Sequence, residues 1–341
     1  MPVLDTKALI TDRCVALQEM HQDAHTDKAE IDVSGGLDSA VLVLLLALAL
    51  GPDNVIAVHS QINSNPEALE RAKEVCAVAG VKLVVIDLTE TYDALVGTMV
   101  GTMAQAGYGS VDEIMARCEA NPTILGSIRS CIRAPIGRGY NRMFGGGIRH
   151  GTGNECEDRW MRFYQKGGDG EVDSNPIAML SKGETFQLAR ALGCPRSILE
   201  ARPSPDLWGK GDSHNDEDEI GDYLGFKAAD FGQTFYSYID IDTGEYICVG
   251  LIERLSRLDD YADIFEIERA ASVDFTQPPL WNKTIESPFA GIDRELMDQL
   301  IAAARRVEKA TRHKYNPNCP SLGDRETLVD AHILTNTLPD F

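Results

Sequence analysis

The sequence predicts an α/β fold built on a doubly wound, mostly parallel sheet with helices on both faces. Three observations support this prediction. Short apolar runs with strand character alternate with longer helical runs, a glycine-rich turn joins the first strand to a long apolar helix, and 43% of the 341 residues are hydrophobic, which is enough to bury a large core. We therefore expect an alternating sheet domain in the first part of the chain.

The spacing of the apolar residues predicts the elements in chain order. An amphipathic helix is expected over residues 6–27, followed by strands at 31–33, 54–59 and 82–88, helices at 39–50 and 66–79, and an interrupted helical stretch at 89–143. Further along, the pattern predicts a solvated acidic loop at 212–222, a hairpin at 238–249, a mixed, mainly helical segment at 250–280 and an irregular tail beyond Lys314.

Composition excludes several classes of protein. A formal charge of −21 argues against nucleic-acid binding, because phosphate backbones are held by clusters of Lys and Arg. The eight cysteines include no C-x-x-C pair, so they indicate neither a zinc ribbon nor an iron–sulfur site and fit the reduced thiols of a cytosol. The sequence has no signal-peptide core and no run of about 18 uncharged apolar residues. These features predict a cytoplasmic protein with no nucleic-acid or membrane partner.

The stretch S-G-G-L-D-S at residues 34–39 is the main functional signal. It lies between a predicted strand and a predicted helix, where glycines let the backbone approach an anion and the helix N-terminus supplies N–H donors. It is neither a Walker P-loop nor a G-x-G-x-x-G turn. The two serine hydroxyls add donors, and Asp38 can hold Mg²⁺. Because ligands bind beyond the carboxyl ends of parallel strands, we expect the loop of residues 59–63, with His59, to line the same nucleotide pocket.

This stretch resembles the pyrophosphate loop of the N-type ATP pyrophosphatases, which split ATP into AMP and pyrophosphate. Further motifs, in the same order along the chain, resemble one family of that class, the NAD synthetases. They are G-T-G-N-E-C-E from residue 151, K-G-G-D-G-E-V-D from residue 166 with a lysine at 182, P-S-P-D-L-W from residue 203, D-E-D-E-I-G from residue 216, and the pair His313-Lys314. The resemblance implies an adenine nucleotide alpha hydrolase-like fold.

The resemblance also implies roles for the matching residues. Catalysis would depend on Asp38, Glu157 and Lys182, of which Asp38 and Glu157 would hold Mg²⁺. ATP would be bound by Ser34, Gly35, Gly36, Leu37, Asp38, Ser39, Thr152, Lys182 and Ser204, to which the expected position of the second strand adds His59. Deamido-NAD would be bound by Arg133, Lys166, Asp173, His313 and Lys314, with Arg129 as the alternative to Arg133.

Several features depart from the pattern of that family. Asp32 precedes the loop where a glycine is usual, and the strand before the G-T motif, at residues 148–150, contains Arg149 and His150 where it is usually apolar. The segment 223–312 is much longer than in the single-domain bacterial enzymes. We therefore predict three parts: an ATP pyrophosphatase domain at 1–222, an enlarged segment of unknown role at 223–312, and a substrate-contacting tail at 313–341.

The implied reaction is the formation of an amide. The carboxylate of deamido-NAD would attack the α-phosphate of ATP, pyrophosphate would leave, and ammonia would displace AMP from the acyl adenylate. Because the loop begins at residue 34, we expect no preceding amidase domain, so nitrogen would come from free ammonia or from a separate donor protein. The family forms homodimers, and we expect the same here. Two alternatives stay open: a ligase of the same class that adenylates another carboxylate, and a nucleotide-binding partner subunit without turnover.

Overall fold

A parallel four-stranded sheet is the centre of the fold. The computed structural model of the protein describes residues 5–121, 123–158, 161–204, 215–255 and 292–314. The strands lie in the order β3-β2-β1-β4, and all three pairings are parallel. They are β1 Ala29–Asp32, β2 Val55–Gln61, β3 Lys82–Asp87 and β4 Ile148–His150. Parallel pairing requires crossover connections, which here contain the helices, as the alternating sequence predicts.

Nine helices among the described residues connect and cover this sheet. They are α1 Thr6–Asp23, α2 Leu37–Leu50, α3 Pro66–Ala79, α4 Thr89–Gln105, α5 Val111–Ala120, α6 Thr123–Met143, α7 Glu155–Asp158, α8 Lys182–Ala191 and α9 Arg196–Leu199. The apolar α2 is enclosed by the sheet, α1, α3 and α8, which explains why it is apolar on nearly every side. Ile31 of β1 packs into the core that contains α2, whereas its neighbour Glu30 points to α6. Helices therefore cover both faces, and the doubly wound prediction is confirmed.

The predicted elements agree with the structure most closely where the chain has strong end signals. Helix α3 has the predicted bounds because the Asn65 side chain caps its N-terminus, Pro66 begins it and Gly80, at φ +70°, ends it. The second strand, predicted at 54–59, extends two residues further, because its ladder with β3 continues to the pair Gln61 and Asp87. His59, predicted as the last strand residue, therefore lies inside β2, and the loop that was predicted to begin at residue 59 begins after Gln61.

The C-terminal segment has a second apolar core. Its elements are α10 Asp216–Leu224, the antiparallel strands β5 Tyr238–Ile239 and β6 Tyr246–Cys248, α11 Leu251–Leu255 and α12 Arg294–Thr311. The hairpin prediction is confirmed, with shorter strands. The prediction of a solvated acidic loop was wrong from residue 216 onward: Asn215 and Asp218 form a capping box, and Ile220 and Leu224 are buried in the second core.

Other predictions for this segment extend beyond the described residues. Residues 212–214, most of 250–280 and the tail after Lys314 lie outside them. The domain boundaries remain predictions, and α10 continues across the first of them. The seven cysteines among the described residues are free thiols. In the same residues we find no helix with both the length and the apolar character needed to cross a membrane.

Two of the unusual residues, Asp32 and Arg149, belong to one buried ion network. The register pairs Glu30 with Arg149, which places both side chains on the same face of the sheet. Arg149 Nη1 lies 2.8 and 2.9 Å from the two carboxylate oxygens of Glu30, and its Nη2 bonds to Asp32. A Cβ at Gly137 of α6 would lie 1.4 Å from Arg149 Nη1, so a glycine is needed there. Asp32 therefore pairs across the sheet instead of entering the phosphate loop.

The third unusual residue, His150, pairs with a histidine of α1. Its Nε2 lies 3.0 Å from Nε2 of His21, the two rings are stacked, and its Nδ1 lies 2.8 Å from Ser174 Oγ. His21 Nδ1 lies 3.2 Å from the carbonyl oxygen of Thr26. One arrangement satisfies all three contacts: Ser174 donates to His150, His150 to His21, and His21 to Thr26. Both rings are then neutral.

We expect this histidine pair to make the fold sensitive to mild acid. Burial, together with the proximity of His21, lowers the pKa of His150 from 6.5 to about 3. The unfolded chain therefore takes up the proton first, and stability that is present above pH 6.5 is lost as the pH falls toward 3. Relative to pH 7.5, the free energy of unfolding should lose about 2 kcal/mol from this group at pH 5.

The measurement is urea unfolding of the wild type and of His150→Asn at both pH values. Burial raises the pKa of Glu30 to about 7, and such a group stabilises the fold as the pH falls. The contribution of His150 is therefore isolated by the difference in the free energy of unfolding between the two proteins, rather than by either protein alone. If this difference is the same at pH 7.5 and at pH 5, the prediction is contradicted.

Candidate functional site

The turn between β1 and α2 has the geometry of an anion-binding loop. Gly35 has φ +85°, and a Cβ there would lie 2.2 Å from the carbonyl oxygen of Ala68, so the position requires glycine. Ser34 Oγ accepts a hydrogen bond from the Gly36 N–H at 3.1 Å and lies 3.1 Å from Ser39 Oγ, which donates to the Gly36 carbonyl at 3.0 Å. The hydroxyls hold the loop in shape where the N-terminus of α2 offers its N–H groups.

Three predicted residues from distant parts of the chain meet beside this loop. Lys182 Nζ lies 2.6 Å from Asp38 Oδ2 and 3.1 Å from Glu157 Oε1. Asp38 is the second residue of α2, Glu157 lies in α7, and Lys182 begins α8. Only 8% of the Lys182 side chain is exposed, and 16% and 20% of the two acidic side chains. The structure thus brings together the three residues predicted to be catalytic.

The electrostatics of this cluster follow from burial and mutual contact. Burial by itself lowers the pKa of Lys182, but Asp38 and Glu157 outweigh it and hold that pKa well above its ordinary value. Burial raises the pKa of Glu157 against the opposing effect of Lys182. Burial also raises the pKa of Asp216, at the start of α10, to about 7. The cluster therefore holds more carboxylates than cations.

This donor set fits a divalent cation. Carboxylate oxygens are preferred ligands of Mg²⁺, and Mg²⁺ is commonly held by one or two carboxylates together with substrate phosphates. In the described ranges no group of three or more His, Cys, Asp or Glu side chains forms a ready metal cage. Asp38 and Glu157, which share one ammonium beside an anion-binding loop, match that requirement.

Two further residues of the site were missed by the sequence reasoning. Asn154, fully buried, places its Nδ2 3.4 Å from Asp38 Oδ1 and accepts a hydrogen bond from the Glu157 N–H at 3.2 Å, so it connects the two acidic residues. Its place inside the G-T-G-N motif was the available signal. Tyr236, whose ring centroid lies 5.8 Å from Lys182 Nζ, belongs to a segment without a motif.

The remaining predicted ATP ligands surround the loop at different depths. His59 is buried, and its Nδ1 lies 2.7 Å from the carbonyl oxygen of Val33. This contact connects β2 to the residue that precedes the loop. Thr152 is half-buried in the turn between β4 and α7, and Leu37 packs partly against the core. Ser204 is exposed and precedes residues 205–214, which lie outside the described part of the chain.

Asp173 is held in place by two arginines. Its Oδ2 accepts hydrogen bonds from the Arg149 N–H at 2.8 Å and from Arg138 Nη1 at 2.7 Å. Although burial raises the pKa of Asp173, these bonds outweigh it and lower that pKa. Arg138 lies in α6 outside any motif, which is why the sequence reasoning missed it. Lys166 is exposed on the loop that leads to Asp173.

Lys314 folds back onto the chain just before Lys166. Its Nζ donates to the carbonyl oxygens of Arg162 at 3.0 Å and Tyr164 at 2.7 Å, and Tyr164 donates its hydroxyl hydrogen to the Lys314 carbonyl at 2.9 Å. Burial lowers the pKa of Lys314. His313 is exposed, with its Nδ1 3.0 Å from the carbonyl oxygen of Ala310. The pair thus lies close to the predicted substrate-side loop.

The two candidate arginines of α6 differ in exposure. Arg129 is buried, with its guanidinium carbon 5.5 Å from the ring centroid of Tyr92. Arg133 is half-buried. An arginine packed onto an aromatic ring is held inside the fold, so the exposure favours Arg133 for contact with a ligand. Its role stays a prediction.

The sheet and its loop define an α/β nucleotide-binding protein of the ATP pyrophosphatase class. The sequence profile of the NAD synthase family matches residues 9–228. The chain belongs to the NAD synthase family.

Individual relatives agree with this assignment. An NH(3)-dependent NAD(+) synthetase of Methanococcoides burtonii is 33% identical over 194 residues, which are 57% of this chain and 66% of the relative. The protein of that name from Methanocaldococcus jannaschii is 30% identical over 60% of this chain and 72% of its own length.

Solved structures show the same fold. An NMN synthetase from Francisella tularensis has a TM-score of 0.62 at 18% identity, covering 95% of this chain and all of its own. An NH3-dependent NAD synthetase from Campylobacter jejuni has a TM-score of 0.57 at 19% identity, covering 94% of this chain and all of its own.

Proposed function

We propose that this protein is an ATP-dependent amide ligase that converts deamido-NAD and ammonia to NAD, AMP and pyrophosphate. The observation that carries the proposal is the meeting of Lys182 with Asp38 and Glu157 beside the anion-binding loop. The family, and the relatives named as NH(3)-dependent NAD(+) synthetases, support the choice of substrate and of ammonia as the nitrogen source. We also propose that the protein acts in the cytoplasm, since its described cysteines are free thiols.

The proposed mechanism uses the loop to bind and orient the phosphates of ATP. The N–H groups at the start of α2 and the ammonium of Lys182 offset the negative charge that otherwise repels the incoming carboxylate of deamido-NAD. The carboxylate then attacks the α-phosphorus, and the bond to the bridging oxygen of pyrophosphate breaks. Ammonia next attacks the acyl carbon and AMP leaves. Mg²⁺, held by Asp38 and Glu157, would supply charge neutralisation for the departing pyrophosphate.

The decisive experiment is an assay of purified protein with ATP, Mg²⁺, ammonium and deamido-NAD. Equal amounts of NAD and AMP are expected, with dependence on Mg²⁺. A parallel reaction replaces deamido-NAD by nicotinate mononucleotide, because a structural neighbour is an NMN synthetase. Turnover in that reaction alone would change the proposed substrate to the mononucleotide. No pyrophosphate with either acid would support the non-catalytic alternative.

On the substrate side, we expect Lys166→Ala and Asp173→Ala to weaken the binding of deamido-NAD more than that of ATP. The exposed Lys166 can supply a point charge for a phosphate of the substrate. Arg138 and the Arg149 N–H both donate to the same oxygen of Asp173, so this carboxylate is held in a fixed position on the predicted substrate side. The KM for deamido-NAD should rise about tenfold, with less than about a twofold change for ATP. Steady-state kinetics with each substrate varied in turn measures this. Equal increases for both would contradict the assignment.

A homodimer is also part of the proposal. Leu95, Met99 and Met103 are each about 40% exposed and lie four residues apart, so they form one apolar stripe along α4. We propose that a second copy of the chain covers this stripe. Light scattering of the purified protein should give the mass of a dimer, and Met99→Glu should lower it. A monomer mass for the wild type would contradict this part.

A further inference from the structure

The N-terminus of α8, where Lys182 lies, is bonded to a buried carboxylate of the C-terminal segment. Ser181 caps α8: its Oγ accepts from the Glu184 N–H at 3.3 Å, and the Glu184 carboxylate accepts from the Ser181 N–H at 2.8 Å. The same hydroxyl donates to Glu253 Oε1 at 2.7 Å. Ser181 is fully buried and Glu253 is 3% exposed. One hydroxyl thus caps the helix and joins it to α11.

Glu253 collects further donors from the hairpin. Tyr246 donates its hydroxyl hydrogen to Oε1 at 2.9 Å, and Ser237 donates to Oε2. The Gly250 N–H in turn donates to Ser237 Oγ at 3.0 Å. A buried carboxylate is costly unless such donors satisfy it, and the three hydroxyls together supply donors to both oxygens of Glu253.

The backbone on either side of Lys182 is therefore held by the C-terminal segment. Ser181 precedes it and is bonded to Glu253. Gly183 follows it, and a Cβ there would lie 2.4 Å from the Tyr246 hydroxyl oxygen. The Lys182 N–H lies 3.4 Å from Cys156 Sγ, next to Glu157. Lysine has a flexible four-carbon stem, so the place of its ammonium depends on where its backbone is held.

We propose that Glu253 is a positioning residue for Lys182, acting through the hydroxyl of Ser181. This inference rests on the proposed function, in which Lys182 meets the phosphates of ATP. It gives the enlarged C-terminal segment a role that its sequence did not indicate: it sets the start of α8 and so the position of the ammonium between Asp38 and Glu157. A misplacement of about 1 Å in such a site can reduce the rate by about a hundredfold.

The test is a double-mutant cycle of Glu253→Gln and Ser181→Ala, read out as the rate of pyrophosphate release. Each single variant should lower kcat by about tenfold and leave the KM for deamido-NAD within about twofold. The double variant should be no slower than either single one, because both substitutions act on the same link: Glu253→Gln replaces the charged acceptor by a neutral amide oxygen, and Ser181→Ala removes the donor. Ser181→Thr, which keeps the hydroxyl, should restore kcat. Additive losses, or an unchanged kcat in folded single variants, would overturn the proposal.

Ser237→Ala is the matched control. It removes a hydroxyl donor from the same carboxylate on the hairpin side, away from α8. We expect it to lower the melting temperature as Glu253→Gln does, but to keep kcat at the wild-type value. A kcat for Ser237→Ala as low as that of Glu253→Gln would mean that general loosening of the segment, rather than the link to Ser181, causes the loss.

Hydrogen exchange separates failure of this inference from failure of the proposed function. Without substrates, amide exchange in residues 182–186 should be faster in Glu253→Gln and in Ser181→Ala than in the wild type or Ser237→Ala. If the wild type releases no pyrophosphate, the proposed function fails, while this exchange pattern still decides whether Glu253 holds α8. If Glu253→Gln does not fold, Ser181→Ala and Ser181→Thr supply the same comparison from the α8 side.

Discussion

Replacing Asp38 by asparagine is expected to lower pyrophosphate release by about a thousandfold while the protein stays folded. Asparagine has nearly the same shape, but it removes the charge that pairs with Lys182 at 2.6 Å and that would hold Mg²⁺. Glu157 remains at 3.1 Å from the ammonium, so the lysine keeps one partner. The measurement is the initial rate with saturating ATP, Mg²⁺, deamido-NAD and ammonium, with circular dichroism as the test of folding.

Asp53→Asn is the control for this substitution. Asp53 is exposed beyond the far end of α2, so the same chemical change there should leave the rate unchanged. A rate for Asp38→Asn within about tenfold of the wild type would contradict the assignment of Asp38 to the reacting phosphates.

Replacing Lys182 by methionine should have two separate effects. The rate should fall by about a hundredfold or more, because a preorganised cation near the phosphates is lost. The free energy of unfolding should fall by about 3 kcal/mol, because Asp38 and Glu157 are left in a largely buried place without their shared counter-ion. Pyrophosphate release and urea unfolding measure the two effects.

Added Mg²⁺ should separate the two effects of losing Lys182, the loss of stability and the loss of rate. In Lys182→Met, added Mg²⁺ is expected to raise the melting temperature more than in the wild type, because the cation neutralises the two carboxylates. The rate of pyrophosphate release should not recover, since the variant has no ammonium to contact the phosphates of ATP. Recovery of the rate by Mg²⁺ alone, or a stable and active variant, would contradict the role given to Lys182.

The sequence allowed much of the fold to be predicted because its signals are local. The bounds of α3 follow from Asn65, Pro66 and Gly80, which act on the backbone within a few residues. The phosphate loop follows from glycines and serines at fixed spacing, and Gly35 adopts a positive φ that glycine takes without strain. Such residues act on their own neighbourhood in any fold, so no tertiary information is needed to interpret them.

Other features were decided by residues far apart in the chain. The orientation of the Asp32 side chain depends on Arg149 of the neighbouring strand. The helix α10, which begins at a local capping box, buries Ile220 and Leu224 in a core shared with α12, which the acidic sequence did not indicate. The extension of β2 two residues beyond His59 depends on its pairing with β3. Local propensity contains no information about these partners.

The sequence by itself determined the alternating α/β architecture and the anion-binding turn, and its motifs predicted Asp38, Glu157 and Lys182 as catalytic residues. Only the tertiary structure decided that these three side chains meet, that Asp32 pairs with Arg149, and that Glu253 bonds to the cap of α8. The physical reason is that these two kinds of feature depend on interactions of different range along the chain. Backbone conformation and capping depend on neighbouring residues, whereas the geometry of a buried charge depends on every group that replaces its water, wherever that group lies in the chain.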